Sequence, residues 1–150
     1  MYMYKENRNS DILCITNRKL CREDFITRMR KIAAAHPAAV VVREKELLEK
    51  EYMELAEKIL NICREQETVC ILHSFPEAAL ELGCDSLHLP LPVLMKMEPG
   101  KRQSFRVLGA SCHSVEDAVL AEKLGCTYIT AGHIFDTDCK KGLPGGDWIF

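Results

Sequence analysis

No stretch of this 150-residue chain approaches the roughly 18 consecutive apolar residues that a membrane-spanning helix needs. The first ten residues mix tyrosine with lysine, glutamate, arginine and asparagine, so the apolar centre of a secretion signal is missing too. Charge of one sign is not in excess. Twenty lysines and arginines face 22 aspartates and glutamates, which gives no basis for nucleic acid or an anionic membrane as partner. Cys-x-x-Cys is absent although there are eight cysteines, most of them inside apolar runs such as Val69-Cys70-Ile71-Leu72. Spaced that way they read as small buried hydrophobes rather than zinc ligands, and the expected compartment is the cytoplasm. Cys112 and Cys139 lie in polar motif loops and are the exceptions. No Gly-x-Gly-x-x-Gly follows the first apolar run, where Thr16-Asn17-Arg18-Lys19 stands, so a dinucleotide site has no support. No linker or low-complexity stretch divides the chain, and residues 1–150 are expected to form one domain.

What is present is an alternation. Apolar runs of strand length recur at 12–16, 39–43, 69–73, 86–89, 106–110 and 127–131, nearly continuous as strands buried on both faces must be. Helical periodicity lies between them. Over 50–65 the apolar positions Tyr52, Leu55, Ala56, Ile59, Leu60 and Cys63 advance by three and four. Ser114 caps a second helix with acidic residues in its first turn and an apolar face of Val115, Ala118, Val119 and Leu124. Gly125 ends that helix and Gly83 ends one over 76–82. A short helix is expected over 93–97, after a Pro90-Leu91-Pro92 turn. About six βα units result, with parallel strands and helices outside. A doubly wound sheet is complete at this length, whereas a (β/α)8 barrel typically takes about 250 residues.

Working residues in parallel α/β folds stand at carboxyl strand ends. Those ends carry Asn17-Arg18, Arg43-Glu44-Lys45, His73-Ser74, His88 to Pro90, Ser111-Cys112-His113, and the run from Gly132-His133 to Lys140-Lys141. Arg43 and Lys45 alternate around Glu44 and can present two cations to an anion, although a solvated turn with an internal Arg–Glu pair fits equally well. His133 can take or deliver a proton at neutral pH, or simply bond a loop carbonyl. His36, before Pro37, reads as a helix cap, and His88 as a packed core residue.

Three of these elements together resemble the thiamine-phosphate synthase/TenI family of (β/α)8 barrels, over about residues 10–145. They are Arg43-Glu44-Lys45 after the second strand, Gly109-Ala110-Ser111-Cys112-His113-Ser114 at the fifth, and Gly132-His133-Ile134-Phe135-Asp136-Thr137-Asp138-Cys139-Lys140-Lys141-Gly142 after the sixth. The resemblance implies an incomplete barrel and a small phosphorylated thiazole as substrate. Two activities divide the family. The synthase joins a thiazole phosphate to a pyrimidine diphosphate, with magnesium held by two aspartates. Where those belong, this chain has His73-Ser74 and Leu89-Pro90-Leu91-Pro92-Val93, with Val41 in place of a usual glutamine. Magnesium takes hard oxygen ligands in octahedral geometry, so it enters only on the synthase reading. The TenI-type thiazole tautomerase works without metal, and its sixth-strand loop is similar to 132–142 nearly residue for residue. That branch implies His133 as the acid/base, no cofactor, and Arg43, Lys45 and Lys140 as anion contacts. Arg43, Ser111, Thr137 and Lys140 also suit the synthase.

The last residues read Gly145-Gly146-Asp147-Trp148-Ile149-Phe150 where the family has Gly-Arg-Gly-Leu-Asp-Phe. GAC-TGG-ATT-TT read one base earlier, borrowing a G, becomes GGA-CTG-GAT-TT, which encodes Gly-Leu-Asp-Phe. The expectation is a frameshift that leaves a single truncated barrel domain without its last two βα units. Phosphate in such barrels is usually gripped after strands seven and eight, so an inactive or regulatory remnant is a further reading. Open strand edges then predict a homo-oligomer.

Overall fold

Short parallel strands form where the near-continuous apolar runs lie, because only a strand covered on both faces uses β-branched residues at every position. The computed structural model describes residues 11–135 and 141–142. Its strands are β1 (Leu13–Ile15), β2 (Ala39–Val42), β3 (Cys70–His73), β4 (Ser86–Pro90), β5 (Val107–Cys112) and β6 (Tyr128–Ala131). Between them run α1 (Phe25–Ala34), α2 (Glu49–Glu65), α3 (Pro76–Glu81), α4 (Leu91–Lys96), α5 (Pro99–Arg102) and α6 (Val115–Lys123). The chain divides into two compact units, one through Cys84 and one from Asp85.

In the first unit β2 pairs in parallel with β1 on one side and β3 on the other, with Val40 opposite both Cys14 and Cys70. All four residues of β2 are buried. Asp24 starts α1 by accepting the Thr27 backbone N–H at 2.8 Å, and that bond holds its carboxyl below the usual range. The helix ends with His36 in the left-handed region (φ 51°), the capping place expected for it. Helix α2 begins one residue before its expected start, where the Glu51 carboxylate accepts the Leu48 N–H at 3.1 Å. Its expected stripe is buried at Tyr52, Ala56, Ile59, Leu60 and Cys63, with Leu55 half-buried at the margin.

Tyr52 does more than fill space. Its hydroxyl donates to the Val42 carbonyl at 2.6 Å and accepts the His73 backbone N–H at 2.8 Å. One phenol thus satisfies the backbone groups at the carboxyl ends of β2 and β3, and burial raises its pKa far above the tyrosine norm.

In the second unit β5 lies between β4 and β6, again all parallel. One expectation needs correction here. The helix expected over 93–97 is Leu91–Lys96, with Pro92 inside its first turn. Proline has no N–H to lose there and its fixed φ suits a helix start, so it opens the helix rather than preceding it. Ser114 does cap α6, its hydroxyl accepting the Asp117 N–H at 3.1 Å. The α6 stripe, however, is only partly covered: Ala121 is buried while Val115 and Val119 are 41% and 44% exposed. Nothing among the described residues packs over that flank.

Consecutive strands neighbour each other within each unit, an order that doubly wound sheets and barrels share. No helix among the described residues is long and apolar enough to cross a membrane.

Replacing Tyr52 by phenylalanine keeps the ring and strands the Val42 carbonyl and His73 N–H. Urea unfolding should show a loss of about 1–3 kcal/mol; an unchanged midpoint would show that the two groups find other partners.

Candidate functional site

Each unit brings its own polar groups to its strand ends. In the first, the backbone N–H of Arg43 donates to the Thr16 hydroxyl at 2.9 Å, tying the exit of β2 to that of β1. Glu44 turns inward and is 2% exposed. Its two carboxylate oxygens accept the Arg18 backbone N–H at 3.0 and 3.2 Å. The internal pairing left open for this segment is therefore with residue 18 rather than with Arg43. The Arg18 side chain binds Glu46 at 2.8 Å, a hydrogen bond that raises the guanidinium pKa and lowers that of the carboxylate. Arg43 is left half-buried, its guanidinium without a hydrogen-bond or ion-pair partner among the described residues, and Lys45 is exposed. A half-buried arginine fork with its charge uncommitted is suited to a phosphate.

The second unit holds an arrangement that sequence reasoning missed. His88 and Tyr128 lie in one register row across β4, β5 and β6, with Gly109 between them. Pro90, Ser111 and Thr130 form the next row on the same face. Two strand spacings separate His88 from Tyr128, about 10 Å at the backbone. The tyrosine crosses that gap by lying over Gly109, where a Cβ would strike its ring atoms. Its hydroxyl then meets His88 Nδ1 at 2.8 Å, while His88 Nε2 meets the Ser111 hydroxyl at 2.9 Å. His88 is indeed buried, at 4% exposure. It is a link in a polar chain rather than packing alone. The signal for this was a glycine in the strand between two strands that each carry a polar aromatic.

Beyond this row, His113 and the β6 exit meet. The His113 ring nitrogen Nδ1 donates to the Gly132 carbonyl, and the Gly132 N–H donates to the Cys112 carbonyl at 3.1 Å. These contacts bring the half-buried His133, one residue on, beside the loop that carries Ser111 and His113. Ser111 and His133 thus belong to one rim of the second unit, while Arg43 and Lys45 belong to the first. Thr137, Cys139 and Lys140 lie outside the described residues, as does the 143–150 ending. Cys112 is fully buried and its thiol pKa is raised by that burial, which makes it a poor nucleophile. Burial likewise pushes Cys126 up to about 11.

The ends of β3 and β4 bear on metal binding. They carry His73, whose Nδ1 lies 2.6 Å from the Ser74 hydroxyl, and Pro90 followed by Leu91. No carboxylate stands at either end, so these residues do not fit a magnesium ion.

Gly109→Ala should cost about 1–3 kcal/mol in urea unfolding, through the clash with the Tyr128 ring. Combining it with Tyr128→Val should recover part of that loss. A cost that merely adds across the double variant would show that the two positions do not touch.

Known proteins match along nearly the whole chain. The family model described as thiamine monophosphate synthase (TMP-TENI) covers residues 12–148. The thiamine-phosphate synthase of Coprothermobacter proteolyticus is 32% identical over 143 residues, 90% of this chain and 66% of that protein. That of Clostridium acetobutylicum is 27% identical over 90% of this chain and 65% of its own length. Among solved structures, a thiamine phosphate pyrophosphorylase from Pyrococcus furiosus superposes with a TM-score of 0.70 at 26% identity, covering 84% of this chain and 61% of that one. The chain therefore spans about two thirds or less of these relatives. Their likeness also decides between the two closures the within-unit order leaves open: the six βα units are of the (β/α)8-barrel type. On the family match and the 32% relative, this chain belongs to the thiamine-phosphate synthase/TenI family.

Proposed function

We propose that the chain binds a small phosphorylated thiazole at its strand ends and acts on it in thiamine biosynthesis, within the cytoplasm. The observation that carries this reading is the uncommitted, half-buried Arg43 guanidinium in the family's anion-binding segment. The family resemblance names Lys45 in the first unit and Ser111 in the second as further candidate contacts, with Thr137 and Lys140 outside the described residues. Two reactions compete for the site. The names of the relatives support condensation with a pyrimidine diphosphate, the synthase reaction. The donor set supports the metal-free tautomerase reaction instead, because no carboxylate stands where magnesium would be held. Proton transfer is chemistry these residues can supply. His133 would take a proton from the thiazole ring carbon and return one elsewhere on the ring, with no cofactor.

Two assays on the intact chain separate these readings. One supplies the thiazole carboxylate phosphate, the other a thiazole phosphate with the pyrimidine diphosphate and magnesium. On the tautomerase reading the first shows turnover that falls about 10²–10⁴-fold in His133→Ala. Magnesium-dependent thiamine phosphate in the second, with none of the first reaction, decides for the synthase. Background rates in both leave a non-catalytic or regulatory role.

We also propose that the chain self-associates through β1. That strand pairs only with β2 among the described residues; Ile15 at its end and Ile12 just before it are 54% and 64% exposed. A cleft of about 400 Å³ lies beside it, lined by Cys14, Cys21, Phe25 and Met29. An exposed apolar strand edge is a template for another chain. Light scattering should give a mass above the 17.0 kDa monomer, reduced to it by Ile15→Glu; a wild-type monomer at high concentration contradicts the proposal.

A further inference from the structure

Two hydroxyls and one imidazole in a row can share their protons in only a few ways, and the hydrogen bonds among the described residues favour one. Tyr128 has a single hydrogen-bonding partner for its hydroxyl among the described residues, His88 Nδ1. Ser111 likewise has one, His88 Nε2. A neutral imidazole carries one N–H, so one of its nitrogens must accept. If Nδ1 carried the proton, it would donate to the Tyr128 oxygen. The half-buried phenol, which burial holds protonated, would then have no acceptor among the described residues for its own proton and would forgo the imidazole nitrogen, the strongest neutral acceptor in reach. With the proton on Nε2, the Tyr128 O–H donates to Nδ1 and Nε2–H donates to the Ser111 oxygen. The only proton then left over is that of Ser111. This residue is half-buried at the carboxyl end of β5, on the face shared with His88 and Tyr128, where a ligand or water can accept it.

We propose that Tyr128 is a positioning residue which, lying across Gly109, locks His88 as the Nε2–H tautomer and thereby commits Ser111 to donate its proton to a bound ligand. The site consequently selects a ligand that presents a lone pair to Ser111, either an aromatic ring nitrogen or an anionic oxygen, over one that presents a hydrogen-bond donor there. His113 completes the selection with the opposite sign. Its Nδ1–H is spent on the Gly132 carbonyl, which leaves Nε2 of this exposed imidazole as the nitrogen that can accept. One rim thus offers a donor at residue 111 and an acceptor at residue 113. The inference is independent of which reaction the family chemistry supplies. It deepens the binding reading above by stating what the ligand must show to Ser111.

The test is nitrogen-15 NMR of the ligand-free, intact chain labelled at its five histidines. His88 should carry its N–H at Nε2 alone in the wild type and lose that preference in Tyr128→Phe. An Nδ1–H tautomer in the wild type overturns the proposal without any variant, which protects the test should Tyr128→Phe fail to fold. An Nε2–H preference undiminished in a folded Tyr128→Phe overturns it as well. Two probes then distinguish the acceptor. Inorganic phosphate shifting the His88 Nε2 signal identifies an anionic oxygen, and the unphosphorylated hydroxyethyl thiazole shifting it identifies a ring nitrogen. No shift with either at saturation removes the donor role of Ser111. Because the tautomer is read without turnover, a failure of both enzyme assays leaves this inference standing.

Discussion

A parallel strand buried on both faces has one place where a polar side chain can meet a ligand, its carboxyl end. That constraint organises both units. In the first unit β2 and β3 are apolar up to the last residue, whereas β4 and β6 of the second admit the polar His88 and Tyr128 within the strand. Polar groups then appear together: Thr16, Arg43 and Glu44 in the first unit, Ser111, His113 and His133 in the second. The neighbouring exits are laced by hydrogen bonds that leave particular groups uncommitted. Glu44 spends its charge on the Arg18 backbone N–H and, at 3.8 Å, on the Arg18 guanidinium, so that Arg43 does not have to neutralise it. Tyr52 closes two strand ends from a helix, freeing the loops beyond them from that duty.

Much of this was legible in the residues. The six strands fell where apolar runs stood, most plainly in β2 and β3, where burial on both faces leaves no polar alternation to confuse the reading. The stripe on α2 was found from spacing alone, and Ser114 from its hydroxyl before an acidic turn. The misses have physical causes. Pro92 was taken for a turn residue, since proline starts helices and makes turns with the same φ. The apolar face of α6 was legible, but periodicity gives a face and not what covers it. Arg43 and Glu44 are adjacent in sequence, which suggested a pair. The actual partner of Glu44 is a backbone group 26 residues away, which no local pattern reveals. His88 was read as packing because burial and hydrogen bonding cannot be separated in a single strand. Only the register of three strands shows the tyrosine and serine on either side of it.

Family membership directs the proposal to a phosphorylated thiazole, and the residues narrow the chemistry proposed. Relatives named as synthases share the scaffold at about 30% identity. At the ends of β3 and β4 this chain has an imidazole, a hydroxyl and a proline rather than carboxylates. An anion can still be met by arginine, and a heteroaromatic ring by a fixed hydroxyl donor and an imidazole acceptor. None of these contacts needs a divalent ion. The account is therefore one of a thiazole-phosphate site that works by charge complementarity and directed hydrogen bonds.

Calorimetric titration of the intact chain with a thiazole phosphate, in EDTA and again in excess magnesium, tests that claim most directly. The account predicts saturable binding in EDTA with an affinity unchanged by magnesium. Binding that appears only when magnesium is supplied would contradict it.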